Sequence, residues 1–73
     1  MIRVDELRGI IATRGLSQRK VAKIMGIAEK TFYSKMRAGV FRSDEIEKMI
    51  EILEIDNPSE IFLADLVRDT HHQ

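Results

Sequence analysis

Apolar residues recur along this chain at intervals of three and four, a spacing that predicts helices throughout. Val4, Leu7, Ile10 and Ile11 form the first stripe, on a helix from about Val4 to Arg14 with Gly15 just past its end. Asp5 and Glu6 in its first turn and Arg14 in its last suit the helix dipole. Val21, Ala22, Ile24 and Met25 predict a second helix over 18–25, with Ser17 placed as its N-cap. Gly26 stops it, because glycine tolerates the positive φ of a helix C-terminus. Phe32 and Met36, four apart, share the buried face of a third helix from about Ala28 to Ala38, closed by Gly39. After a short loop at 39–42, Ser43 is expected to cap a fourth helix whose stripe is Ile46, Met49, Ile50 and Leu53. Asn57 and Pro58 mark the cap and first position of a fifth, running to about Val67. Strand-type alternation is absent. The pattern predicts an all-α chain, a compact five-helix bundle over 1–68 with a polar, fraying tail at 69–73.

The fifth helix is too apolar for one buried stripe. Ile61, Phe62, Leu63, Leu66 and Val67 cover more than one face. The surplus predicts self-association through Phe62, Leu63, Leu66 and Val67.

The segment from Leu16 to Gly39, LSQRKVAKIMGIAEKTFYSKMRAG, reads as two short helices joined by one tight turn. Leu16, Ser17, Gln18, Val21, Ala22, Met25, Gly26, Ile27, Thr31, Phe32, Tyr33, Lys35, Met36 and Gly39 carry its pattern, and FRSDEIEKMIEILEIDNPSEIF at 41–62 extends it. This arrangement resembles the phage repressor and Cro type of helix-turn-helix, the XRE-like family, over most of the chain. The resemblance implies a lambda-repressor-like fold and a small transcriptional regulator, of a phage or prophage kind, that binds a near-palindromic operator as a homodimer. It maps the base-reading positions to Gln18, Glu29, Lys30 and Ser34, with Tyr33 on the flank. Lys30 suits guanine O6 and N7, and Glu29 suits the cytosine N4 amino group. Ser17, Arg19, Lys23, Lys35, Arg37 and Arg42 surround the motif as candidate phosphate contacts. The family often has Ser or Gln where this chain has Ala28 and Glu29, which leaves the base preference open.

A formal net charge of zero is unexpected for a partner of duplex DNA, but its distribution alters the picture. Residues 1–42 hold ten Lys or Arg against three acids, a balance of +7, and residues 43–73 balance at −7. The basic half contains the helix-turn-helix, so the field is expected to orient the chain toward a polyanion.

The remaining composition narrows the function by exclusion. There is no cysteine, so no disulfide or thiolate metal site is expected. No apolar run approaches the roughly 20 residues of a bilayer span. The start MIRVDELRGI does not have the pattern of a signal peptide, and a cytoplasmic protein is expected. His71 and His72, adjacent and without carboxylate company, make a poor metal site. No catalytic constellation or phosphate-binding glycine loop is present, so neither an enzyme, a cofactor nor a small-molecule substrate is expected. A second class stays open: a helix-turn-helix used as a protein-binding module, such as an antirepressor or antitoxin component, with the acidic half as its working surface.

Overall fold

In a computed structural model the described residues are 2–62, and every regular element among them is a helix. The helices are α1 (Val4–Thr13), α2 (Gln18–Met25), α3 (Glu29–Ala38) and α4 (Ser43–Leu53). A fifth, α5, starts at 58 and is followed through 62, with Pro58 at its first position as the sequence predicts. Its expected continuation to Val67 and the polar tail at 69–73 lie outside the described residues.

The four complete helices end in the same hydrogen-bonded closure. After α1, the N–H of Gly15 donates to Ala12 O (2.9 Å) and that of Leu16 to Ile11 O (3.0 Å). After α2, Gly26 donates to Lys23 O and Ile27 to Ala22 O, both at 3.1 Å. After α3, Gly39 and Val40 donate to Met36 O and Lys35 O, both at 3.2 Å. Each closure satisfies orphan carbonyls and requires a left-handed residue. Gly15, Gly26 and Gly39 supply it with φ of 72°, 78° and 71°.

The fourth closure uses Glu54, at φ 50°, with Ile55 N–H donating to Ile50 O at 3.1 Å. A side chain in this region is costly, so it persists where its surroundings hold it. Arg14 provides that hold. Its Nε donates to Leu53 O (2.7 Å) and its Nη2 to Glu54 O (2.9 Å), placing a cation at the negative end of α4.

The helix starts differ from expectation in detail. Ser17 caps α2 as predicted, its Oγ accepting from Lys20 N–H at 3.0 Å. Ser43 is instead the first residue of α4. The carboxylate of Glu45 folds back and accepts from Arg42 N–H at 2.8 Å, so the third helical residue supplies the acceptor. Ala28 precedes α3 in extended backbone and offers no side-chain acceptor.

The buried cluster joins Leu7 and Ile11 of α1, Val21, Ala22 and Met25 of α2, Phe32 and Met36 of α3, and Ile46, Met49 and Leu53 of α4. α2 packs on α1, α3 and α4, which makes it the shared element of the bundle. Phe41, in the loop before α4, turns inward and sets its ring 5.6 Å from that of Phe32. Ile2 is buried too, and Arg3 N–H donates to Ile61 O at 2.9 Å, tying the start of the chain to α5.

Two apolar residues depart from expectation. Phe62 is fully buried, so it belongs to the core and is corrected out of the self-association surface. Leu63, Leu66 and Val67, the rest of that surface, lie outside the described residues. Ile24 is 48% exposed, because α2 turns its core stripe toward Val21, Ala22 and Met25.

A Cβ built at Gly26 meets nothing within 4 Å, so substitution there tests the backbone alone. Gly26→Ala is expected to cost about 1–2 kcal/mol in equilibrium denaturation. Gly26→Asn is expected to cost less, since asparagine enters the left-handed region more readily. Equal stability of all three proteins would show that the left-handed closure carries no such constraint.

Candidate nucleic-acid interface

α2 and α3 meet at the left-handed Gly26 joint and share a polar outer surface. On α3, Phe32 and Met36 face inward, which leaves Glu29, Lys30, Tyr33, Ser34 and Arg37 on the outside. Lys30, Ser34 and Arg37 lie at i, i+4 and i+7 along one line of that surface. From α2, Arg19, Lys20 and Lys23 are exposed, and Gln18 is half-buried at the first helical position. Lys20, Lys23, Lys30 and Arg37 form no ion pair among the described residues, so their charges face solvent.

The predicted base-reading and phosphate positions do not behave alike. Arg19 crosses from α2 to the start of α3, its Nε 3.6 Å from Glu29 Oε1. Tyr33 lies one turn further along α3 from Glu29, exposed on the same outer side. Partial burial first, then hydrogen bonding to Glu29 and its negative charge, push the Tyr33 phenol above its ordinary value, against the opposing charge of Arg19. Arg19 and Glu29 therefore meet across the turn, which sequence spacing does not show.

Lys35 faces the other way. It is half-buried, and its Nζ pairs with the buried carboxylate of Glu45 on α4. Its charge is engaged inside the fold, so Lys35 is corrected out of the phosphate set. Arg42 remains exposed and lies 3.2 Å from Asp44. The Oγ of Ser17 accepts the helix-cap bond that fixes where α2 begins, which leaves its O–H free to donate outward. Arg3 and Arg8 lie in exposed pairs with Glu6 and Asp5, whereas Arg14 closes α4 and so serves structure.

Glu45 holds α3 and α4 together through one carboxylate. Burial alone would raise its pKa. Hydrogen bonds from Lys35 Nζ and Arg42 N–H, with the charge of Lys35, outweigh that and hold it below its ordinary value. Since the folded-state value is depressed, the stabilisation is complete above the ordinary value of 4.5 and is lost as pH falls through the folded-state value. The sequence did carry one hint of this role, an acid at the third position of a helix start.

The acidic side of the molecule has its own relief. Ile24 and Ile52 floor a shallow groove between α2 and α4, rimmed by Asp44, Glu47, Lys48 and Glu51. Among the described residues no group of His, Asp or Glu is arranged to hold a metal ion. None of their helices is long and apolar enough to cross a membrane.

Comparison of the chain with protein-family models, curated proteins and solved structures found no match.

Glu45→Gln is expected to lower the melting temperature at pH 7. Wild type and variant should converge as the pH is lowered from about 5 to 3, because protonated Glu45 resembles glutamine. A constant gap across that range, followed by circular dichroism, would remove Glu45 from the acid limb.

Proposed function

We propose that this chain is a sequence-specific double-stranded DNA-binding transcriptional regulator of the small repressor or Cro-like kind. The observation that carries the reading is the outer surface of α2 and α3, where Lys20, Lys23, Lys30 and Arg37 are exposed and enter no ion pair among the described residues. Such a surface suits a duplex in two ways. Cations on its rim neutralise phosphates, and the first residues of α3 meet base edges in the major groove. Lys30 then reads guanine, and Ser34, being short, allows close approach.

We further propose a homodimer on a near-palindromic operator, with half-sites roughly 34 Å apart, working in the cytoplasm. With Phe62 in the core, this part of the reading rests on Leu63, Leu66 and Val67. Sedimentation at micromolar concentration is expected to show a dimer, and a monomer throughout the range would overturn it.

The acid-rimmed Ile24–Ile52 groove favours a second reading, in which the fold engages another protein through α4. Binding to random-sequence duplex at about 50 and 200 mM salt separates the two. Under the first reading, affinity falls steeply with salt. Lys23→Ala is expected to weaken all duplexes alike and to flatten the salt slope by about 0.9. Lys30→Ala is expected to change which sequence is preferred in a selection. Absence of binding even at the lower salt would overturn the first reading in favour of the second.

A further inference from the structure

Glu29 is an acid on the otherwise basic outer surface of α2 and α3. It stands in the first turn of α3, where the helix dipole favours a carboxylate, so nothing in the fold itself disfavours it. What makes it unusual is its company. It faces Arg19 across the turn at 3.6 Å, with Tyr33 one turn further along its own helix.

Such a pair has little value as a structural tie. The side chains of Arg19 and Glu29 are 80% and 46% exposed, and exposed pairs of this kind contribute little to stability. Its effect on a polyanion is larger. Arg19 is among the cations nearest the start of α3, and while it is paired its charge is cancelled locally. A carboxylate brought against phosphate also repels it, and in a partly desolvated interface it needs a donor.

Resting on the DNA-binding reading above, we propose that Glu29 is a specificity-determining residue that acts by holding Arg19. On an unselected duplex the carboxylate keeps the guanidinium from the phosphates, and non-specific affinity is suppressed. A site that presents an exocyclic amino group in the major groove, of the cytosine N4 kind, gives the carboxylate a new donor and releases Arg19 to the backbone. Discrimination then comes from two coupled events, one at a base edge and one at a phosphate.

The test is Glu29→Gln, alone and combined with Arg19→Ala, measured on random-sequence duplex at about 50 and 200 mM salt. The single variant is expected to bind random duplex more tightly than wild type, with a salt slope steeper by about 0.9 from the freed Arg19. Its advantage should therefore grow roughly 3.5-fold between the higher and the lower salt. The double variant is expected to lose that extra slope. A gain that persists unchanged in the double variant would overturn the role of Arg19, and a single variant identical to wild type would overturn the proposal.

A second readout is independent of DNA. The chain has one tyrosine and no tryptophan, so the Tyr33 phenol is directly visible in ultraviolet titration. Glu29→Gln is expected to lower its titration midpoint, and an unmoved midpoint would show that the Glu29 carboxylate does not stand near Tyr33 beside Arg19. If neither wild type nor Glu29→Gln binds duplex, the DNA-binding reading falls and this inference with it. If wild type binds and the variant matches it, this inference alone falls.

Discussion

The left-handed turn at Gly26 is the constraint on which the arrangement depends. α2 ends there with Gly26 and Ile27 donating back to Lys23 and Ala22, and the chain re-enters a helix at Glu29. That short reversal sets α3 against α2 along their apolar stripes, with Val21, Ala22 and Met25 meeting Phe32 and Met36 in one cluster. It also brings Arg19, near the start of α2, beside Glu29 at the start of α3. A different backbone angle at residue 26 would separate the two helix starts and disperse the outer surface.

α3 is braced from behind by α4 and the loop that precedes it. The ring of Phe41 packs on Phe32, and Glu45 links Lys35 to the N–H of Arg42 just before α4. One carboxylate thereby fixes both a helix start and a helix–helix contact. Because Glu45 is almost wholly buried, removing either partner leaves a polar group short of a hydrogen bond, so the bracing is cooperative. α4 is braced in turn by Arg14, whose guanidinium closes the one helix among the four described in full that lacks a terminal glycine.

These contacts redistribute the charge asymmetry that the sequence displays. Several of the basic residues in the first half face acids or carbonyls: Arg3, Arg8, Arg14 and Lys35 have structural partners, and Arg19 faces Glu29. The remainder, centred on Lys20, Lys23, Lys30 and Arg37, lies on the outside of α2 and α3. Arg42 likewise faces Asp44, so net charge by segment counts cations that already have partners within the fold.

The sequence by itself determined the helices, their order and three of the four helix ends. Apolar spacing and glycine or serine at helix boundaries act within a few residues, so they are readable locally. It also determined that Phe32 and Met36 face inward and that Lys30, Ser34 and Arg37 share an outer line, since helical periodicity alone fixes those faces. The tertiary structure decided what depends on distant partners. The left-handed Glu54 is held by Arg14, 40 residues away, and no local signal marks it. The use of Lys35 by Glu45, the burial of Ile2, Phe41 and Phe62, and the meeting of Arg19 with Glu29 each depend on how helices pack. Periodicity assigns a residue to a face of its own helix, and only packing decides what that face meets.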